Sequence, residues 1–308
     1  MSEIDAVFLT YNARDTALEC VAHLQEPEIA SVVVVDNASS DGTADAIRAA
    51  HPGVTVIALT EPTGLAAALN RGAELGSAPF VLYLNDDAFA TPGAIRLLLD
   101  TLQARDDAVA AGGRLVDPGD LRTQDRYRPQ PFPNPATVVA RLFGLERLWP
   151  HNPWTGKHLR RMLDDETTVE VDQPAGACML VRRPVTERIG GWDERYWFWY
   201  EDVDFSRRLA PHGTQLYVPS APFRHVGGAT AKRLNVAAGH ARYFYGALQY
   251  AHTHFSRGGR AVVALAMLVV ALVRAALSVR RDRAAVKIYL GAARGALALV
   301  AGREIKRF

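Results

Sequence analysis

Short apolar runs alternate with amphipathic segments along the first 115 residues. The apolar runs are typical of buried strands and cover residues 6–9, 32–35, 54–58 and 80–84. The intervening segments predict helices over residues 15–25, 64–76 and 91–104. A further helix is predicted to follow the N-cap candidates at 39–43 and to end at residue 50. This alternation predicts βαβ units and a mostly parallel central sheet, which places the chain in the α/β class.

The pattern changes after residue 116. Residues 117–172 contain many prolines, which favour an irregular segment of the kind that covers or shapes a site. Strands are predicted over 177–182 and 215–218, and a helix over 202–209.

The end of the chain is helical in pattern and strongly basic. Residues 261–273 carry no charge, but this run is shorter than the roughly 20 residues that cross a bilayer, and Arg274 follows it. Residues 257–308 hold eleven Lys or Arg and two Asp or Glu, so a chain of net charge +2 has a mildly acidic body and a basic end. Apolar helices with interspersed basic residues favour an interfacial position on an anionic membrane. Packing on the core or on another subunit, and a true span, remain alternatives.

Composition narrows the class of protein. A hydrophobic fraction of 49% is enough for a packed core. Cys20 and Cys178 are too few for a disulfide framework, and we expect buried thiols in a reducing compartment. The start of the chain runs directly into a strand pattern, so we expect no secretory signal.

Acidic residues mark the candidate chemistry. Asp36 ends the Val-rich run, and Asp86 and Asp87 follow the run at 80–84. In a parallel sheet ligands bind beyond the carboxyl ends of the strands, so these carboxylates should face one crevice, where they suit a divalent metal and a phosphate. Glu201 and Asp202 follow the aromatic residues 196–200. Aromatic walls exclude water and raise the pKa of a nearby carboxylate, which suits a general base.

Four separated motifs occur in an order that identifies a family. They are Thr10-Tyr11-Asn12, the segment 36–43 (DNASSDGT), Leu84-Asn85-Asp86-Asp87, and Glu201-Asp202-Val203-Asp204. With them the chain resembles the family-2 inverting glycosyltransferases, which have the nucleotide-sugar-binding GT-A fold. The resemblance implies a GT-A catalytic domain at 1–230, with a nucleotide-binding half at 1–115 and an acceptor-binding half at 116–230. Residues 231–308 would then form a basic helical C-terminal region that associates with a membrane.

The same resemblance implies roles for individual residues. The donor nucleotide would be bound by Thr10, Tyr11, Asn12, Asp36, Arg71 and Asp86, and Mg²⁺ or Mn²⁺ by Asp87 and His225. Asp202 would be the catalytic base, with Glu201 as the second choice. The acceptor would lie against Trp192, Asp193, Gly176 and Ala177. Structural alternatives stay open for four of these residues. They are helix capping by Asp36, a solvated Arg71, core packing of Trp192 and an ordinary loop position for His225. Lys232 and Arg233 are candidates for contacts with phosphate groups, and a plain surface position is the alternative.

A second resemblance is narrower. Residues 149–155 (WPHNPWT) are similar to a segment of actinobacterial rhamnosyltransferases, which add rhamnose to a polyprenyl-diphosphate-linked N-acetylglucosamine. It implies a dTDP-rhamnose donor, a lipid-linked saccharide acceptor, a role in cell-envelope polysaccharide synthesis, and a peripheral position on the cytoplasmic face of the membrane.

Other functions remain open. A different sugar, such as galactofuranose or a hexose from a UDP donor, would fit the same motifs. A sugar nucleotidyltransferase needs a Gly-rich basic loop after the first strand, where this chain has residues 10–15 (TYNARD). A non-catalytic binding module is a third alternative. We expect no nucleic-acid partner, and an oligomer is possible.

Overall fold

The structure is a computed structural model that describes residues 2–149, 152, 154–155, 163–227, 236–280 and 282–308. The chain divides into two compact units. We call the first the sheet unit; it comprises Met1–Pro131, Leu163–Glu194 and Asp202–Ala229. We call the second the helical unit; it comprises Phe132–Met162, Arg195–Glu201 and Thr230–Phe308.

The described residues form one sheet and two groups of helices. The strands are β1 (Ile4–Thr10), β2 (Ile29–Asp36), β3 (Thr55–Ala58), β4 (Phe80–Asn85), β5 (Ala88–Ala90), β6 (Ala108–Val116), β7 (Val169–Val171), β8 (Cys178–Arg182) and β9 (Thr214–His225). The α-helices are α1 (Arg14–Ala22), α2 (Thr43–Ala50), α3 (Leu65–Ala73), α4 (Ala94–Gln103), α5 (Pro135–Leu142), α6 (Leu145–Leu148), α7 (Arg183–Arg188), α8 (Glu201–Leu209), α9 (Val236–His254), α10 (Arg257–Ser278) and α11 (Arg283–Val300). Asp125–Tyr127 and Ala210–His212 form 3₁₀ turns.

The sheet has the order β3-β2-β1-β4-β8-β6-β9-β5, and β7 pairs with β9 outside this path. Strands β3, β2, β1 and β4 are parallel, and β6 is parallel to β9. The pairs β4–β8, β6–β8, β5–β9 and β7–β9 are antiparallel. The predicted α/β class with a mostly parallel sheet is therefore confirmed, with the addition of antiparallel strands in its second half.

Helices cover both faces of the sheet, so successive residues of a central strand are both buried. On β1, Phe8 packs in a cluster with Ile95 of α4, whereas Val7 packs in a second cluster with Leu69 of α3 and Phe205 of α8. Side chains alternate between the faces of a strand, and burial on both faces explains why β1, β2 and β4 read as continuous apolar runs. Cys20 and Cys178 are buried free thiols, and burial raises the pKa of Cys178 to about 12.

The sequence prediction did not contain β5, β6, β7, α5, α6 and α7, and two of these show why. Strand β6 was not predicted, because Ala and Gly make up most of its sequence and neither favours a strand. Helix α5 lies inside the segment predicted to be irregular. Asn134 caps it by accepting a hydrogen bond from the Thr137 N–H, and Pro135 occupies its first turn, where a proline is tolerated.

A buried ion pair connects the first strand to the end of β8. Arg183 Nη2 donates to Asp5 Oδ2 at 2.7 Å, and both side chains are largely buried. The Ala78 N–H donates to the same carboxylate oxygen at 2.7 Å. The Arg183 guanidinium also donates to the Ala73 and Ala78 carbonyl oxygens. These bonds hold β8 beside β4 at the end of the sheet opposite the carboxyl ends of β1 and β4.

The helical unit contains α5, α6, α9, α10 and α11. Helix α10 buries small and medium apolar side chains, and its opposite face is exposed. That exposed stripe, which we call the α10 face, consists of Val262, Leu265, Val269, Leu272, Val273 and Leu277. With 22 residues, α10 is the one helix among the described residues that is long and apolar enough to cross a membrane. Arg274 lies within it and contacts the His240 ring at 3.4 Å.

Replacing Arg183 with Met should strongly destabilise the protein. The Asp5 carboxylate would stay buried without its counter-charge, and removal of one partner of a buried pair costs about 3–5 kcal/mol. Urea unfolding of the variant measures this loss. The control is Arg48→Met, which removes an exposed pair with Asp45 and should change stability little. Equal stability of the two variants would contradict the role given to the buried pair.

Candidate active site

The carboxyl ends of β1, β2 and β4 bring three predicted donor-binding residues together. Thr10 is paired with Asp36 in the β1–β2 register, and Leu9 with Asn85 in the β1–β4 register. The Thr10 hydroxyl donates to Asp86 Oδ2 at 2.9 Å. Adjacent parallel strands end at one edge of the sheet, and this edge therefore carries Thr10, Asp36 and Asp86 side by side.

The loops after β1 and β2 are hydrogen-bonded to each other. Asn12 has a left-handed backbone (φ 47°), its N–H donates to Ser39 Oγ at 2.8 Å, and its Oδ1 accepts from the Ser40 N–H at 2.8 Å. Ser39 in turn donates to Asp36 Oδ1 through both its hydroxyl and its N–H. Tyr11 is exposed next to these loops. The network fixes the Asp36 carboxylate. One of the two carboxylate oxygens of Asp36 is therefore already hydrogen-bonded to the loop.

Arg71 stands apart from this group. It is exposed on α3, and no hydrogen bond or ion pair within the described ranges connects it to the other predicted site residues. Its neighbour Asn70, which the sequence did not single out, has a clear role. Asn70 Oδ1 accepts from the Trp192 N–H at 2.8 Å, and its Nδ2 donates to the Trp192 carbonyl oxygen at 2.9 Å and to Glu194 Oε1 at 3.0 Å. Helix α3 therefore anchors the loop around Trp192.

Asp87, which directly precedes β5, faces His225 at the end of β9. Ala88 of β5 is paired with His225 of β9, and both Asp87 and His225 are at most 4% exposed. His225 Nε2 lies 3.4 Å from Asp87 Oδ1, and the Gly227 N–H donates to Asp87 Oδ2 at 3.1 Å. Burial raises the pKa of Asp87, but the His225 ring in its protonated form and the Gly227 N–H outweigh it and hold the pKa below its usual value. Asp87 is therefore a carboxylate at neutral pH.

The hydrogen bonds of His225 indicate which ring nitrogen carries the proton. Its Nδ1 lies 2.9 Å from Gln124 Oε1, an oxygen that can only accept. For the neutral ring we therefore assign the proton to Nδ1. The lone pair of Nε2 then faces the Asp87 carboxylate, and Nε2 is buried without a hydrogen-bond partner among the described residues.

Two acceptor atoms in close contact create a position that suits a cation. An imidazole with one carboxylate is a donor set that fits Mn²⁺, and the carboxylate also suits Mg²⁺. Within the described part of the chain no group of three or more His, Cys, Asp or Glu side chains could hold a metal ion. Further ligands for an ion at Asp87 and His225 would have to come from the substrate or from water.

Asp202 lies at the same edge of the sheet, although it is 115 residues from Asp87 in sequence. The Asn85 N–H, just before Asp86, donates to the Ala177 carbonyl oxygen at 3.1 Å. Gly176 contacts the Asp202 side chain so closely that a Cβ at position 176 would lie 2.6 Å from Asp202 Cβ. The pairing of β4 with β8 therefore brings the two acidic clusters together at this edge.

The residues before Asp202 adopt an unusual backbone. Trp199 (φ 70°) and Tyr200 (φ 72°) are both left-handed, which is costly for aromatic residues. Within the helical unit the Tyr200 ring packs against Tyr243 and Tyr250, with ring centroids 5.5 and 5.6 Å apart. Gly246 lies so close that a Cβ there would be 2.6 Å from the Trp199 carbonyl oxygen. This packing fixes the turn from which Glu201 starts α8.

The predicted acceptor residues differ in exposure. Trp192 is 2% exposed and its indole stacks on Phe205 at 4.1 Å, so its burial favours the core-packing alternative. Asp193 and Gly176 are partly exposed, and Ala177 is buried directly before β8. Some residues singled out from the sequence lie outside the described residues, namely Pro150, His151 and Pro153 of the segment 149–155, and Lys232 and Arg233.

Comparison with protein families and curated proteins identifies similar sequences. The family profile "Glycosyl transferase family 2" matches residues 5–190. The chain is 34% identical over 208 residues to N-acetylglucosaminyl-diphospho-decaprenol L-rhamnosyltransferase of Mycobacterium tuberculosis. That match covers 63% of this chain and 66% of the relative, so the chain spans slightly less than two thirds of the relative's length. Both resemblances inferred from the motifs are therefore confirmed as resemblances.

Solved structures show the same fold at low sequence identity. GalNAc-T7 with UDP, GalNAc and Mn²⁺ has a TM-score of 0.55 and 16% identity over 72% of this chain and 43% of its own. The mannosyltransferase PcManGT from Pyrobaculum calidifontis, in complex with GDP-Man and Mn²⁺, has a TM-score of 0.50 and 18% identity over 97% of this chain and 85% of its own. The predicted GT-A fold is confirmed.

Gly176→Ala should displace the Asp202 side chain. The added methyl group would meet Asp202 Cβ and Oδ2, and overpacking of this kind costs about 1–3 kcal/mol. A crystal structure of the variant and urea unfolding measure the two effects. Gly119→Ala is the matched control, because nothing lies within 4 Å of a Cβ at that position. An unmoved Asp202 with unchanged stability would show that the close contact is wrong.

Proposed function

Because the chain belongs to glycosyl transferase family 2, we propose that it is an inverting glycosyltransferase that moves a sugar from a nucleotide donor to a lipid-linked saccharide. The main support is the meeting of Asp87 and Asp202 at one edge of the sheet. In this proposal residues 1–230 form the catalytic domain. Residues 1–115 bind the nucleotide, residues 116–230 bind the acceptor, and residues 231–308 form the basic helical region.

The donor nucleotide lies over the carboxyl ends of β1, β2 and β4. Asp36 accepts hydrogen bonds from ribose hydroxyls or a base N–H, and the loop of Thr10, Tyr11 and Asn12 lies against the nucleotide. Asp86, fixed by Thr10, contacts the ribose or the metal. Arg71 is exposed and free to pair with the diphosphate, a role for which a guanidinium is well suited.

Asp87 and His225 hold a divalent cation, Mg²⁺ or Mn²⁺. The unsatisfied Nε2 beside a carboxylate supports this assignment, and two proteins of similar fold were solved with Mn²⁺. When bound, such an ion neutralises the charge that develops on the departing diphosphate.

Asp202 accepts the proton of the acceptor hydroxyl while the hydroxyl oxygen attacks C1 of the sugar. The bond between C1 and the diphosphate oxygen breaks in the same displacement, and the anomeric centre is inverted without an enzyme-bound intermediate. Asp202 is the better base because it is partly exposed beside Gly176, whereas Glu201 is buried. Gly176, Ala177 and Asp193 lie where the acceptor would bind, and Trp192 contributes from the core behind them.

The sugar is L-rhamnose from dTDP-rhamnose, and the acceptor is a polyprenyl-diphosphate-linked N-acetylglucosamine of cell-envelope polysaccharide synthesis. The mycobacterial relative, an N-acetylglucosaminyl-diphospho-decaprenol L-rhamnosyltransferase, supports this choice. A different sugar, such as galactofuranose or a hexose from a UDP donor, is the second candidate, since donor-contacting residues alone do not separate them. Turnover measured across a panel of nucleotide sugars distinguishes the two.

The protein acts on the cytoplasmic face of the membrane and binds it through the α10 face. This stripe is apolar throughout, and exposed basic residues flank it at Arg257, Arg280 and Arg283. An apolar stripe between basic residues is complementary to the interface of an anionic bilayer. Arg274 turns inward towards His240 and does not interrupt the stripe. A lipid-linked acceptor would then be presented at the surface to which the enzyme is bound.

Asp202→Asn should lower the rate of sugar transfer by about 10²–10⁴, the usual contribution of a general base. Donor binding, measured by calorimetry, should be unchanged, because Asp202 acts on the acceptor. Mass spectrometry of products from lipid-linked N-acetylglucosamine and dTDP-rhamnose measures the rate. Asp106→Asn, on an exposed loop, is the control. Full turnover by the Asp202 variant would remove this residue as the base.

Replacing Leu265 and Leu272 together with Gln should weaken binding to anionic vesicles at least about tenfold. Each leucine that is buried in the membrane interface contributes about 1.5–3 kcal/mol to binding. Losing even part of the contribution of two leucines therefore weakens binding by more than about tenfold. Vesicle co-sedimentation measures the bound fraction. The control replaces Leu75 and Leu121, which are equally exposed but lie in the sheet unit. If both double variants bind like the wild type, the α10 face is not the membrane contact.

A further inference from the structure

Gln124 connects the segment after β6 to His225 of β9. It lies just before the 3₁₀ turn Asp125–Tyr127, and its N–H donates to the Leu115 carbonyl oxygen at 2.9 Å. We propose that Gln124 is a positioning residue that keeps His225 in the tautomer able to bind a metal. This inference rests on the proposed function, because it assumes that Asp87 and His225 hold a divalent cation.

The Gln124 amide contacts both the main chain and the ring of His225. Its Oε1 lies 2.9 Å from His225 Nδ1, and its Nε2 donates to the His225 carbonyl oxygen at 2.6 Å. The same Nε2 donates to Asp117 Oδ1 at 2.9 Å. The opposite amide orientation would place an oxygen against two acceptors, so the partners determine the orientation. The amide oxygen must then accept from Nδ1–H.

The imidazole has little freedom to turn away from this contact. The ring is 1% exposed, and Tyr127 packs edge-on against it with centroids 4.6 Å apart. Tyr127 belongs to the same turn, since its N–H donates to the Gln124 carbonyl oxygen at 2.8 Å. One short segment therefore supplies both the hydrogen bond that selects the tautomer and the ring that restricts its motion.

The choice of tautomer matters because Asp87 competes for the same nitrogen. If the proton were on Nε2, His225 would direct an N–H at Asp87 Oδ1, which is 3.4 Å away. A histidine–carboxylate hydrogen bond would then occupy both metal ligands. With the proton held on Nδ1 by Gln124, both facing atoms are acceptors and both remain able to bind a cation. Loss of such an outer partner typically weakens metal binding by about 10–100-fold.

The test is Gln124→Met, which keeps the length of the side chain but removes its hydrogen bonds. Nitrogen-15 NMR of the metal-free full chain at pH 8 reports which ring nitrogen carries the proton, with the His225 signals identified by their loss in His225→Ala. We expect Nδ1–H in the wild type and Nε2–H in Gln124→Met. Electron paramagnetic resonance titration with Mn²⁺ should show about 10–100-fold weaker binding by the variant.

A further variant separates the tautomer from a general structural effect. Gln103→Met removes an exposed amide that donates to Glu3 and should leave Mn²⁺ binding unchanged. The wild-type spectrum is decisive even if Gln124→Met does not fold, since a proton on Nε2 there would overturn the inference.

The outcomes also distinguish this inference from the metal assignment. If Asp87→Asn and His225→Ala weaken Mn²⁺ binding but Gln124→Met does not, only the role of Gln124 is wrong. If Mn²⁺ binds the wild type and the Asp87 and His225 variants equally, the metal assignment in the proposed function fails and the inference fails with it.

Discussion

The pairing of β4 with β8 is the contact on which the candidate site depends. Asp86 and Asp87 follow β4, while Gly176 precedes β8 and lies against Asp202. Because the two strands are antiparallel, the end of one lies beside the start of the other, and residues far apart in sequence meet there. At the opposite end of the same strands, the buried Asp5–Arg183 pair holds β8 in place. Asp87 and Asp202, the proposed metal ligand and the proposed base, are thus held at one edge of the same sheet.

The site combines this rigid frame with groups that are locally unsatisfied. His225 Nε2 is buried without a hydrogen-bond partner among the described residues and lies 3.4 Å from Asp87 Oδ1, an arrangement that a protein does not keep without a cation, a proton or a function. The left-handed turn at Trp199 and Tyr200 is a second costly feature, and it directly precedes Glu201 and Asp202. Both features are supported by dense packing around them, which is how strained functional groups persist in folded proteins.

Much of this fold follows from local sequence. The Val-rich run that ends at Asp36 predicts a strand buried on both faces, and parallel strands then require that Asp36 and Asp86 share an edge. Strand β6 was not predicted, because alanine and glycine do not favour strands. The roles of Asn70 and Gln124 also could not be predicted, because each depends on contacts with residues more than 100 positions away. The core position of Trp192 similarly follows from stacking on Phe205, which sequence spacing does not reveal.

The central claim is that one bound donor lies between Asp87 and Asp202. A crystal structure of Asp202→Asn with Mn²⁺ and an intact nucleotide sugar tests it most directly, because the variant should bind the donor without consuming it. We expect the diphosphate beside Asp87 and His225, with the residue at position 202 facing C1 on the side opposite the departing oxygen. The claim would be contradicted by a donor bound away from Asp87. It would also be contradicted by a sugar with its C1 atom out of reach of residue 202.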